Sequence, residues 1–292
     1  MSGAEILLEP GVIPRLLQGL WVTVWIAGVS VALSVPVGLI VGWLMTMKNP
    51  VVRVLTRIYL DFIRIMPQLA LLFIAGLCVS GVLAGLLISI SSAPRLLAMT
   101  RIATIIQDIF MLVVPAVLAA VIVTRRPARL LCLDTTPGVM TYIAAIGAML
   151  LFSPLMSVIV EWNASLHLPA SMSGLEAALR EMEAKAGGAV EFMLGPDTAG
   201  NLVMSLLIVA LMAGFSEELF FRGALQRILA GTHLSPVAAL WIAAFIFSAI
   251  HMQPFGFVPR LLLGAYFGYL LVWTGSVWVP MAAPGSLTCM KP

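Results

Sequence analysis

Long apolar segments recur along the whole 292-residue chain, and they restrict the fold more than any single motif does. A hydrocarbon core roughly 30 Å thick takes about 20 helical residues to cross. Segments of that order lie near 17–46, 69–92, 103–124, 138–160, 201–230, 236–253 and 259–273, with a shorter apolar stretch at 276–283. With 61% hydrophobic and only 10% charged residues, and a mean hydropathy of +1.09, the chain lies far outside the range of soluble domains. Backbone amides in lipid must be satisfied within the segment, and these runs are too long and too uniformly apolar for barrel strands. The expected fold is therefore all-α, a polytopic transmembrane helical bundle of about seven to eight spans.

Basic residues near span ends favour the cytoplasmic side, so the placement of charge carries more information than its net value of +3. Lys48, Arg53, Arg57 and Arg64 follow the first span, Arg125, Arg126 and Arg129 lie at 125–137, and Arg222 and Arg227 approach the turn near 231. These three regions read as cytoplasmic. Segment 161–199 carries Glu161, Glu176, Glu181, Glu183, Glu191 and Asp197 against Arg180 and Lys185, which suits the outer side. The N-terminus then falls outside. Arg95 and Arg101, read as loop residues, run against this assignment. Residues 174–186, GLEAALREMEAKA, form an amphipathic helix expected to be solvated between spans. Cys78, Cys132 and Cys289 are isolated and imply neither a disulfide framework nor a zinc knuckle. No signal peptide is expected, because the first apolar run is full length and no charged region precedes it.

Against this background the stretch GFSEELFFRGALQ, residues 214–226, sets Glu217 and Glu218 directly after an almost wholly apolar run. Ionised side chains in a span are penalised by about 2.5–3.5 kcal/mol, and they are generally buried in the bundle and paired or functional. Arg222 lies one turn after Glu218 on the same helical face. Adjacent residues diverge by about 100°, so Glu217 and Glu218 cannot make the same contacts. One can be held by Arg222 while the other faces a cavity. From Glu218 to the turn GTHLSP is about 13 residues and from the turn to His251 about 15, or roughly 20 and 22 Å at 1.5 Å per residue. An antiparallel hairpin thus brings the carboxylates and His251 to one level, where they could polarise a water directly or through a shared metal ion. Structural roles compete with this reading: a Glu–Arg pair can simply lock helix packing, and a lone histidine is often a satisfied core residue. His167 and His233 sit in loops, and Phe245, Phe247, Phe255 and Phe257 are read as packing.

EELFFR (Glu217, Glu218, Arg222) followed by FSAIH (Phe247 to His251) resembles the EExxxR and FxxxH motifs of the CAAX prenyl protease and bacteriocin-processing family of intramembrane proteases, also called the abortive-infection family. GFVPRLLLGAYFGYLLVWTGSVWVPMAA is similar to the segment leading to that family's third motif, and the likeness covers about residues 77–283. The resemblance implies an intramembrane endopeptidase. Glu218 or Glu217 would be the base that activates water, Arg222 would be the orienting partner of that base, and His251 would be a metal ligand or transition-state stabiliser. The metal set implied is Glu218 and His251, with a divalent ion such as zinc as the implied cofactor. The partners implied are the lipid bilayer and a membrane-associated protein or peptide substrate in the bacterial cytoplasmic membrane, with no nucleic acid.

The third motif, a histidine followed four residues later by asparagine, is absent: Pro284 and Thr288 occupy those positions. Proline offers no side-chain ligand and threonine no amide, so weak or absent activity is expected. Residues 16–73 resemble the first spans of polar amino-acid ABC transporter permeases, including a Y-x-x-x-x-R-x-x-P stretch at Tyr59, Arg64 and Pro67. The expected organisation is a permease-like segment at 1–76, a CAAX-protease-like domain at 77–283 and an atypical tail at 284–292. Two rival readings remain. One is a permease subunit of an amino-acid ABC transporter, although EAALREM at 176–182 has Met182 where the coupling loop of such a subunit needs glycine. The other is a catalytically silent membrane scaffold.

Overall fold

The computed structural model describes residues 34–47, 49–89, 95–195 and 198–283, with Trp21, Trp25, Val29 and Ala32 before them; the side chains of 58, 61–68, 202, 206, 209 and 210 are not described. Arg64, Pro67, Asp197, Pro284, Thr288 and Cys289 thus lie outside the described residues or side chains. Among the described residues every regular element is helical. The chain forms two compact units, Met1–Leu60 and Asp61–Pro292. The helices are α1 (Ser34–Thr46), α2 (Pro50–Ser89), α3 (Leu96–Val123), α4 (Val139–Ala164), α5 (Ser173–Leu194), α6 (199–230), α7 (Pro236–Ala249), α8 (Phe257–Thr274) and α9 (Trp278–Ala282). Among the described residues four stretches are long and apolar enough to cross a membrane: Leu69–Ser89, α3, α4 and Pro254–Thr274; α1 and α7 are shorter apolar helices. The protein is an integral membrane helical bundle.

In the first unit, Asn49 accepts the Val51 N–H at 2.9 Å and Pro50 opens α2, a favoured start for a helix. Arg53 and Arg57 therefore lie on the first turns of α2.

The second unit is built around α6, which is not a uniform α-helix. Leu206–Met212 and Leu219–Gln226 have π-helical turns, a widened register that recurs at functional sites. Phe221, Leu225 and Leu229 of α6 are almost fully buried against Ala116 and Ala120 of α3, Ala239, Ala243 and Phe247 of α7, and Val277. Small residues let backbones approach closely where lipid supplies no hydrophobic drive for association. Gly264 and Gly268 of α8 show this directly. A Cβ on Gly264 would sit 3.2 Å from Ala244 Cβ, and one on Gly268 2.6 Å from Leu240 Cγ. The bared carbonyls serve α6 as acceptors: Arg222 Nη2 donates to Gly264 O and Gln226 Nε2 to Gly268 O, each at 3.2 Å.

Arg101 is not a loop residue. Helix α3 begins at Leu96, and Arg101 is buried within it. Its guanidinium donates to Met193 O (2.9 and 3.1 Å), Leu194 O (3.1 Å), Asn201 Oδ1 (3.1 Å) and Ser205 Oγ (3.2 Å). A cation thus satisfies carbonyls that the C-terminus of α5 leaves without helical partners. Arg101→Ala is expected to cost about 2 kcal/mol, because buried carbonyls lose a charged donor. The loss should appear as a lower Tm and faster proteolysis just after Leu194.

Helix α5 is fastened at its other end by Glu176. Its carboxylate accepts from Leu168 N–H at 2.8 Å and Arg180 Nε at 2.9 Å and lies 2.8 Å from His167 Nδ1. These partners, His167 first, hold its pKa down at about 2 against an ordinary value of 4.5. A depressed carboxylate stabilises the folded state fully above its unfolded pKa and loses that contribution as pH falls through the folded value. Hydrogen exchange at 173–180, corrected for intrinsic rates, is expected to be flat from neutral pH to about pH 5 and to rise between about pH 4.5 and 2. In Glu176→Gln that rise should vanish.

Candidate active site

The two adjacent carboxylates of α6 turn to different partners. Glu218 and Arg222, each about 1% exposed, approach at 2.9 Å between Oε1 and Nη1. The contact is off the N–H axis, so it is an ion contact rather than an aligned hydrogen bond, and Glu218 Oε2 has no hydrogen-bond partner. The Arg222 guanidinium also lies 4.6 Å from the Phe247 ring centroid and 5.5 Å from that of Phe267. Such faces attract a cation strongly once it is desolvated. Glu218 and Arg222 therefore form a closed, buried pair on α6, and Arg222 ties it to α8.

Glu217 faces the other way. Its Oε1 lies 3.9 Å from His251 Nε2, and both side chains are about one-third exposed. That gap is too long for a direct hydrogen bond and short enough for one water oxygen to touch both groups. His251 stands in the turn after α7, where its Nδ1 is 2.7 Å from Phe247 O and its ring meets Phe247 edge-on at 5.1 Å. A carbonyl can only accept, so Nδ1 carries the proton and a neutral His251 presents Nε2 as an acceptor.

The turn bearing His251 is fixed from outside. Asn163 at the end of α4 donates Nδ2–H to Pro254 O at 3.0 Å and accepts Val258 N–H at 2.8 Å. Ser248 Oγ donates to Phe257 O at 2.7 Å. Met252 follows His251 with φ 54°, a left-handed backbone that a residue with a side chain rarely adopts. Strain of this kind persists only where surrounding contacts over-determine it.

Two ionisable groups join the site that sequence reasoning passed over. Arg260 on α8 lies within electrostatic reach of Glu217 and His251; its Nη2 donates to Gln253 Oε1, and its Nη1 is buried with no hydrogen-bond partner. Asp108 on α3 also acts on Glu217, and its Oδ2 is buried and without a hydrogen-bond partner. Both stand within apolar spans, so the rule that singles out Glu217 and Glu218 could have found them. His167, by contrast, is exposed beside Glu176.

The metal pair read from sequence was Glu218 with His251. Here Glu218 faces Arg222, and Glu217 lies beside His251. Among the described residues no three His, Cys, Asp or Glu side chains are grouped so as to hold a metal ion. Glu217 and His251 supply two donors where a catalytic zinc takes three protein ligands, so these residues alone do not fit that ion.

Comparison with known proteins meets the chain at this same segment. Residues 199–288 match the family model described as type II CAAX prenyl endopeptidase Rce1-like. An 82-residue stretch is 33% identical to an uncharacterized protein, YpbD, of Bacillus subtilis (strain 168), covering 27% of this chain and 39% of that relative. The aligned stretch thus spans well under half of the relative's length. No solved structure matches. Over α6 to α9, the segment that holds Glu217, Glu218, Arg222 and His251, the chain is similar to the Rce1-like type II CAAX prenyl endopeptidases, the family its EExxxR and FxxxH motifs resemble.

Proposed function

We propose that this protein is an intramembrane endopeptidase acting on membrane-associated proteins or peptides in a bacterial cytoplasmic membrane, its N-terminus outside. The observation that carries the reading is the division of labour on α6: Glu218 is neutralised by Arg222, which leaves Glu217 to face His251 Nε2 across 3.9 Å. A water between them has two acceptors for its two protons, so a lone pair points outward at a substrate carbonyl. Glu217 takes a proton as the water oxygen bonds to the carbonyl carbon, then passes it to the departing amine nitrogen as the C–N bond breaks. The carbonyl oxygen becomes negative in between, and Arg260, within electrostatic reach of Glu217 and with an Nη1 free of hydrogen bonds, is the cation proposed to answer it. No step is routed through a metal. Arg222 has a positioning role: it removes the charge of Glu218 from competition and seats α6 on α8.

The test is cleavage of a membrane-tethered peptide library by the full chain in proteoliposomes. Glu217→Gln should abolish product while the Tm stays within a degree or two of the parent. Equal cleavage by Glu217→Gln and the parent would remove Glu217 as the base.

A further inference from the structure

At the end of α6 opposite to its start, the segments after α3 and α8 and the last turn of α6 border a cleft of about 700 Å³, lined by Arg126, Arg129, Arg227, Cys132, Asp134 and Gly275, among others. The cleft lies next to three helix ends: α3 stops at Val123, α6 at 230 and α8 at Thr274. Three arginines and one aspartate line it, and among the described residues none of the three guanidinium groups has an ion pair or hydrogen bond. Exposed arginines at a span end are ordinarily explained by topology alone. Here they sit on a cradle that is held in place. Val277 N–H donates to Cys132 O at 3.2 Å, Trp278 Nε1–H to Leu133 O at 3.0 Å and Ser276 Oγ–H to Thr135 O at 2.6 Å. Cys132 is buried with φ 53°, and Gly275 closes α8 at φ 66°. Three side chains that carry fixed forks of donors thus line one concavity whose backbone is held in place.

We propose that this cleft binds a phosphate-bearing anion, a chemistry offered at a span end by the headgroup of an anionic lipid and in solution by free phosphate. Arginine matches phosphate oxygens bidentately, and each basic residue near an anionic surface contributes about fivefold in affinity. The site is separate from Glu217 and His251, so its occupancy does not depend on proteolysis.

The full chain is placed in nanodiscs of phosphatidylcholine alone or of phosphatidylcholine with phosphatidylglycerol, and retained lipid is read by native mass spectrometry. Parallel samples of the phosphatidylcholine form are titrated with inorganic phosphate and read by thermal shift. The parent should retain phosphatidylglycerol, and the combined Arg126→Gln, Arg129→Gln, Arg227→Gln variant should retain about tenfold less or lower still. Lys at all three positions should keep part of the binding, which separates lost charge from lost fold. Arg53→Gln with Arg57→Gln serves as a control of equal kind elsewhere. A shift with inorganic phosphate that the triple variant loses, without lipid retention, assigns the site to free phosphate. If neither probe binds, or if the control variant loses as much lipid as the triple variant, the cleft is not an anion site and its arginines only set topology.

Discussion

Arg222→Ala is expected to destabilise the protein by about 3–5 kcal/mol, the cost of leaving one member of a buried ion pair without its partner. Three losses coincide at this position. Glu218 keeps its charge in a place about 1% exposed, where its Oε2 already lacks a hydrogen-bond partner. Gly264 O loses the Arg222 Nη2 donor that joins α6 to α8. The faces of Phe247 and Phe267 lose the cation between them. Removing both charges together should cost less, because the desolvation penalty disappears with the pair. Thermal unfolding in detergent of Arg222→Ala, Glu218→Gln and the combined Glu218→Leu, Arg222→Met variant separates these contributions. An unchanged Tm in Arg222→Ala would mean that the pair does not hold the helices. A combined variant less stable than Arg222→Ala would mean that shape rather than charge dominates.

The helical bundle was legible in the sequence because hydropathy sums over about 20 residues, and backbone satisfaction in lipid leaves few alternatives. The approach of a glutamate to His251 was legible too, since similar numbers of residues separate them from the turn between α6 and α7. Which glutamate faces the histidine was not legible. It depends on the π-helical turns at Leu219–Gln226 and on Gly264, whose bare carbonyl draws Arg222, and with it Glu218, toward α8. Arg101 was misplaced for a related reason. A charge rule treats basic residues as markers of loops, but this arginine reaches carbonyls more than ninety residues away that only the folded chain brings close. Arg260 and Asp108 were readable in principle as ionisable residues in apolar spans. They were passed over because neither belongs to a motif.

Installing histidine at position 284 and asparagine at 288 in place of Pro284 and Thr288 is expected to raise cleavage of a membrane-tethered peptide by about 10²–10³-fold, the effect of one oxyanion donor in a hydrolase. Position 284 follows directly on Ala283, which is fully buried. Helix α9 lies against 213–218 of α6, with the rings of Trp278 and Phe215 at 6.5 Å. In both the parent and the repaired chain, Glu217→Gln should lower the rate by about 10²–10⁴-fold, because it removes the base that accepts the proton of water. Arg260→Gln tests the remaining donor. It should reduce the parent more than the repaired chain, since the repaired chain has the added histidine and asparagine as further donors. Suppose the parent cleaves as fast as the repaired chain and Glu217→Gln silences both. Residues beyond Ala283 then lie outside the reaction, and Arg260 carries the oxyanion by itself. Silence in both chains, with all variants folded, would instead mean that the α6–α7 hairpin serves a purpose other than peptide hydrolysis.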